Sequence, residues 1–212
     1  ADSAPAARPP LRLVDDFDAG LGWFDEGSVP RTSHALAVDG RVWLVDTVEP
    51  DETVSRALAA LGEPAGVIQL LDRHERDCAH VARRLGVPLV RAFDGETVGT
   101  PFELVPLLRR RPWREAALWW SERRVLVCAD ALGTLPFFTA PGDRIGVHPL
   151  LRLFPPRKLA GFAPERILVG HGEGLRESAA PALRDALRTS RRRALPALRS
   201  GFQARRNRGR RE

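Results

Sequence analysis

Hydrophobic and polar positions change their period several times along the chain, and each change marks an element. Residues 11–48 read as a β-rich opening. Within "SHALAVDGRVWLVDT" two apolar-rich runs flank Asp39-Gly40, a dipeptide suited to the left-handed conformations of a two-residue hairpin turn. From Pro50 the period becomes helical. Asp51 stands where an N-cap belongs, before a stripe of Val54, Ala57, Leu58 and Leu61 at i, i+3, i+4 and i+7, and Gly62 with Pro64 closes the helix. "GVIQLL" (66–71) reads as a fully buried strand. It leads through a polar turn into a second helix with the stripe Cys78, Val81, Ala82 and Leu85, after which "GVPLVRA" returns to the sheet.

The middle of the chain is β-rich again. "TPFELVPLL", "REAALWW" and "RRVLVCAD" read as strands joined by tight turns, with Glu122-Arg123 between two of them. Trp119 and Trp120, adjacent on one strand, should face opposite sides of it. "ERILVG" is a further short strand, followed by "HGEG", and a closing helix is predicted over about 180–195, starting near Pro181 and interrupted at Pro196. Strand–helix–strand order implies a parallel or mixed sheet covered by helices, a fold of the α/β (α+β) class. The expected organisation is a disordered lead-in over 1–10, one domain over 11–183, and an arginine-rich helix and tail over 184–212.

Composition narrows the function classes. The chain has 212 residues, long enough to bury a substantial core, and no run of about 18 apolar residues that would span a membrane. "ADSAPAARPP" lacks a basic segment followed by an apolar core, so it does not read as a secretory signal. Two cysteines, 50 positions apart, give no disulfide framework, and a reducing cytoplasm is the expected location. Residues 184–212 carry eleven arginines against Asp185 and Glu212, a net +9 in a chain whose total is +6, so the rest is slightly acidic. That tail is the one feature pointing to nucleic acid or an anionic surface as partner. A solvated tail is the favoured explanation, because Lys158 is the only lysine and arginine is abundant throughout. No Gly-rich phosphate loop, G-x-S-x-G elbow or C-x-x-C pair is present.

Three polar groups share one address, the C-terminal end of an apolar strand: His74 after "VIQLL", Asp130 after "VLVCA", and His171 after "ILVG". Strand ends of this kind converge on ligand sites in open α/β sheets. Imidazole and carboxylate are the usual ligands of a catalytic zinc, iron or manganese ion, which would lower the pKa of a bound water toward about 7.

The order and wording of these segments resemble the metallo-β-lactamase-fold hydrolases over roughly residues 30–180. "SHALAVDGRVWLVDT" is similar to that fold's opening hairpin. "GVIQLLDRHERD" stands where the family carries its H-x-H-x-D-H loop, "RVLVCADALGT" resembles the strand ending in a metal-bridging Asp, and "ERILVGHGEG" resembles the last His motif. The resemblance implies an αβ/βα four-layer sandwich and a small-molecule substrate carrying an ester, thioester or related bond. H-x-H-x-D-H is not intact. With Asp72 and His74 for its first two histidines, Arg76 replaces the Asp and Asp77 the last His. Shifted by one, Asp77 matches the Asp and Cys78 replaces the last His. No His lies in "LLRRRPWREAALWW", where a third normally stands. The resemblance therefore implies His74, Asp130 and His171 as metal ligands, Asp77 or Asp72 as an extra ligand or general base, and one ion at most.

Other roles compete for several of these residues. Asp72 with Glu75 spells a helix-capping box, and Arg76, His80, Arg83 and Arg84 fall on the face opposite Cys78–Leu85, where solvent is expected. His74 and Asp130 have structural alternatives as hydrogen-bonded turn residues, and His34 and His148 have no partner visible by spacing. Two functions stay open: a metal-dependent hydrolase with a reduced site, or a non-catalytic descendant of the fold that binds without productive metal.

Overall fold

Strands that are apolar on both sides must be covered on both sides, and this requirement organises the molecule. The structure, a computed structural model, describes residues 9–95 and 99–194; residues 1–8 of the expected lead-in and 195–212 of the expected tail, Pro196 among them, lie outside these. One sheet contains β1 (Arg12–Phe17), β2 (Gly20–Asp25), β3 (Arg31–Val38), β4 (Arg41–Val45), β5 (Glu63–Gln69) and β6 (Leu89–Arg91), in sequential order. Its first four strands are antiparallel and the β4–β5 and β5–β6 pairs are parallel. A second sheet has the order β12 (Arg166–Val169), β9 (Val125–Cys128), β8 (Trp113–Trp120), β7 (Glu103–Arg110), with β12 parallel to β9. A short ribbon of β10 (Leu132–Gly133) and β11 (Gly146–Val147) adjoins it.

Alternation along the strands separates three apolar layers. Trp43 and Val45 of β4 point to the space between the sheets, where they meet Ala116, Leu118 and Trp120 of β8 and Val125 and Val127 of β9. Val42 and Leu44 point outward to α1 (Glu52–Leu61) and α2 (Cys78–Leu85), packing with Val54, Val81 and Ala82. On the far side, Leu126 and Cys128 of β9 and Ile167 and Val169 of β12 meet Leu183 and Ala186 of α3 (Ala179–Thr189). The layers run helix, sheet, sheet, helix, which is the expected αβ/βα sandwich. Trp120 packs against Phe102 between the sheets and Trp119 against Phe162 outside, so the two tryptophans do face opposite ways.

Local signals in the sequence reappear as local structure. Asp39 and Gly40 both have positive φ, 51° and 72°, and close the β3–β4 hairpin. Asp51 caps α1 through Val54 N, and its second carboxylate oxygen accepts from Leu11 N, tying the chain start to the helix. Two expectations need correction. The closing helix covers Ala179–Thr189 and stops short of 195; beyond it Ser190 is buried, with its hydroxyl donating to Arg152 O. Asp72 does not cap the second helix: α2 starts at Cys78 behind Asp77, which makes no side-chain cap bond.

Hydrogen bonds from Val54 N, opposed by burial, hold the Asp51 carboxyl below its ordinary range. Asp51→Ala is expected to lower stability by roughly 1–2 kcal/mol in urea unfolding at pH 7. A lowered carboxyl pKa means this contribution is present above about pH 4 and fades as acid titrates the folded state, so the gap between wild type and variant should narrow at low pH.

Candidate metal centre

Four strands end at one place. Asp46 follows β4, His74 lies in the loop after β5, Asp130 follows β9, and His171 follows β12. His74 Nε2 and His171 Nε2 each lie 3.0 Å from the same oxygen, Asp130 Oδ1. One potential ligand atom from each of the three residues falls within 4.8 Å of the others, and all three side chains are at most 13% exposed. The sequence-predicted trio is thus assembled from residues up to 97 positions apart.

What stands behind the imidazoles decides what they present in front. His171 Nδ1 lies 2.6 Å from Pro30 O, which can only accept, so Nδ1 carries the ring proton. His74 Nδ1 lies 2.8 Å from Asp46 Oδ2, the carboxylate–histidine pairing that fixes tautomer and ring orientation behind metal-binding histidines. With both Nδ1 atoms protonated, a neutral ring presents its Nε2 lone pair to the carboxylate and a charged ring donates to it. Asp130 Oδ1 is buried and shared by the two Nε2 atoms, each 3.0 Å away. Two imidazole nitrogens and a carboxylate oxygen converging on one point are a donor set that a metal ion can take in place of the ring protons. These residues fit a metal ion. Burial opposes ionisation of Asp130, yet the His171 and His74 imidazoles hold its carboxyl far below the ordinary range. Burial disfavours charge on His74 and Arg76 adds to that, but Asp46 and Asp130 outweigh both and raise its pKa.

The His171 loop is held by contacts only glycine permits. A Cβ on Gly170 would sit 2.8 Å from Ala129 O and 3.0 Å from His74 Cε1, and one on Gly172, at φ 103°, would sit 2.1 Å from Thr134 Oγ1. Thr32 Oγ1 donates to Gly172 O, and Asp15 accepts from Gly174 N while facing His34 across 3.4 Å. His34 therefore braces this loop from behind as a structural histidine. Asp130 is placed by Glu115, which is fully buried; its Oε1 accepts from Asp130 N and Ala131 N and its Oε2 from Trp113 Nε1. Burial and the nearby Asp130 push the Glu115 carboxyl up to about 7.

Asp72 and Asp77 are not brought to the cluster. Asp72 Oδ2 accepts from Arg114 N and Nε, and Asp77 Oδ2 accepts from Glu49 N. Cys78 is a buried thiol pushed up to about 12 by burial. Arg76 is not the solvated residue its helical phase suggested. At φ 41° it turns inward, and its guanidinium donates to Thr32 O, Asp46 O and Gly170 O at 2.7, 2.6 and 3.1 Å. Sequence reasoning missed Asp46, Glu115, Arg73 and Arg76. The carboxylate ending "WLVD" offered the same strand-end signal that singled out Asp130. Glu115, inside an apolar strand, offered a buried charge in need of partners.

The mouth of the cluster is aromatic. Arg73 lies 4.3 Å over Trp113 and donates to Asp130 Oδ2 and Pro112 O, and Trp113 meets the His148 ring at 4.6 Å. Phe138 stacks on His171 at 5.8 Å and packs edge-on against His148.

No protein-family model matches the chain, and no curated protein matches it by sequence. Solved structures do. A metallo-β-lactamase from Pontibacter korlensis superposes with a TM-score of 0.57 at 12% identity, covering 84% of this chain and 99% of that one. The metallo-β-lactamase FIM-1 from Pseudomonas aeruginosa in its mono-zinc form gives 0.57 at 12%, covering 90% and 100%. The DIM-1 metallo-β-lactamase gives 0.55 at 12%, covering 86% and 99%. At such identity the likeness is one of fold: this chain has the metallo-β-lactamase fold.

Burial is the main reason His148 is held down to about pKa 4; Asp130 pulls upward, while Arg73 and His171 push the same way as burial. Its Nδ1 accepts from Leu150 N, which also suits the neutral ring. A histidine pKa depressed on folding stabilises fully above about pH 6.5 and loses that contribution as pH falls toward 4. Against a His148→Gln variant, the wild type should lose up to about 3 kcal/mol more stability between pH 7 and pH 4. Parallel urea curves across that range would refute this account of His148.

Proposed function

We propose that the chain is a metal-dependent hydrolase of an ester, thioester or related acyl bond, working with one ion held by His74, Asp130 and His171. The observation that carries this is the convergence of two imidazole Nε2 atoms on buried Asp130 Oδ1, each at 3.0 Å, while an acceptor holds the Nδ1 on the far side of each ring. Two imidazoles and a carboxylate leave one position of a tetrahedral zinc ion open, the pattern of catalytic sites, and the same donors suit iron or manganese. A mono-zinc form is known for one enzyme of this fold, which supports a one-ion reading. When bound, the ion supplies a polarised acyl carbonyl and a water with a pKa near 7.

The chain's own residues do the positioning. Asp46 and Pro30 O keep each Nε2 aimed at the centre, and Glu115 fixes the loop carrying Asp130. Trp113, Phe138 and His148 wall the mouth and exclude water there. Arg73, with its side chain 43% exposed, is the cation at the entrance and is placed to meet developing or substrate negative charge. Asp72 and Asp77, engaged by Arg114 and Glu49, take no part in this reading.

Protein purified without chelator should carry about one equivalent of zinc, iron or manganese, and His171→Ala should carry little. Removing the ion should lower the melting temperature and restoring it should raise it. Metal-dependent turnover is expected in a panel of acyl esters, thioesters and lactones. If metal never binds and added ions leave melting unchanged, the hydrolase reading falls and a non-catalytic binding role takes its place. Asp46→Asn should weaken metal affinity roughly 10–100-fold with the fold retained, because it loosens the His74 ring without removing a ligand. Equal affinity in a metal titration would show that Asp46 does not support the ion.

A further inference from the structure

Beside the metal centre, and sharing Trp113 with it, runs an open groove of about 410 Å³, within the size range of small-molecule sites. One wall is the edge strand β7, where the pairing with β8 slips between Pro106 and Leu108; the other is Leu151 and Lys158. Trp113 and Leu151 link it to the site. Arg73 lies over the Trp113 ring and reaches Asp130, and Leu151 N donates to the backbone of His148, whose ring meets Trp113.

The chemistry of the lining is uneven. Leu108, Leu151 and Trp113 give an apolar floor, while Arg109, Arg110 and Lys158 supply three positive charges and no lining residue is acidic. Lys158 Nζ is fixed to Pro106 O at 2.9 Å, across the groove. Arg109 and Arg110 are exposed, and neither makes an ion pair among the described residues. The apolar surface continues past Leu151 through Leu150, Leu153 and Phe154, which are 78%, 60% and 78% exposed. Unpaired cations beside an apolar floor complement a ligand with an apolar body and an anionic end.

We propose that this groove binds the non-reacting part of the substrate, an acyl chain whose far end carries a carboxylate or phosphate. The chain lies on Trp113, Leu108 and Leu151, its charge meets Arg109 and Arg110, and the scissile acyl group is thereby presented toward Asp130 and the two histidines. This rests on the hydrolase reading for the identity of the reacting bond, but the ligand class follows from the groove alone.

The test separates the two. In full-length His171→Ala protein, so that a metal cannot capture the anionic head, octanoate and octyl phosphate are titrated by calorimetry, with octanol as the neutral arm. The Trp113 indole N–H signal reports the location. Both anions are expected to shift that signal and octanol to bind more weakly; the tighter of the two anions identifies the headgroup. Arg109→Gln/Arg110→Gln should weaken anion binding about tenfold and leave octanol unchanged, whereas Arg56→Gln/Arg83→Gln, equal in charge but on the exposed helices, should change neither. Anion binding that survives the Arg109/Arg110 change, or that leaves Trp113 unmoved, overturns the groove. Groove binding in a protein that never loads metal removes hydrolysis and leaves the ligand class standing.

Discussion

The meeting of His74, Asp130 and His171 around one carboxylate oxygen is the constraint on which the rest of the structure turns. Three lone-pair donors within hydrogen-bond distance repel unless a ring proton or a metal cation lies among them, and burial magnifies that repulsion. The surroundings leave each group little freedom to turn away. Pro30 O and Asp46 hold the two Nδ1 atoms, Asp130 N and Ala131 N donate to Glu115 and so hold the Asp130 loop, and Gly170 lets the His171 loop pack on Ala129 O and His74 where a Cβ would not fit. Pro30, Asp46 and Gly170 flank the ends of β3, β4 and β12, and Glu115 lies within β8. The two parallel stretches, β4–β5 and β12–β9, bring those ends to the same rim of the sandwich.

Much of this was legible in the chain because it follows from short-range rules. Apolar runs bounded by polar residues marked the strands, Asp39-Gly40 marked the hairpin, and Asp51 before a helical stripe marked α1. His74, Asp130 and His171 stood out because each ends an apolar run. The loop from Leu70 to Asp77 was misread because a local signal lost to a tertiary one. Asp72 and Glu75 spell a capping box, but Ala116 N donates to Leu70 O and Asp72 N to Arg114 O, so the segment is drawn along β8 as an extension of the sheet. The helix then begins later, and Asp72 spends its carboxylate on Arg114. The partners of Glu115 were hidden for a related reason, since its three donors come from Trp113, Asp130 and Ala131 and only the folded sheet collects them.

Arg76 carries the argument from ligand set to ion count. In one alignment of the loop motif Arg76 stands at the Asp position, and the structure turns it beneath the site by a left-handed backbone that solvent-facing helical phase would not require. Its guanidinium satisfies three backbone carbonyls from β3, β4 and the His171 loop, so it pins together the strands whose ends build the centre. A guanidinium suits this task because its donors are planar and its charge persists even though burial lowers its pKa. Near that fixed charge lie Asp46 and Asp130, with Arg73 outside on Asp130 Oδ2. A second divalent ion would need further anionic ligands at the spot where the chain has placed a positive charge, and Asp72 and Asp77 are held elsewhere. The same residue that stabilises the strand ends therefore opposes a second ion, in keeping with the one-ion centre proposed above, in which Arg73 at the mouth and Arg109 and Arg110 along the groove are proposed to orient the substrate.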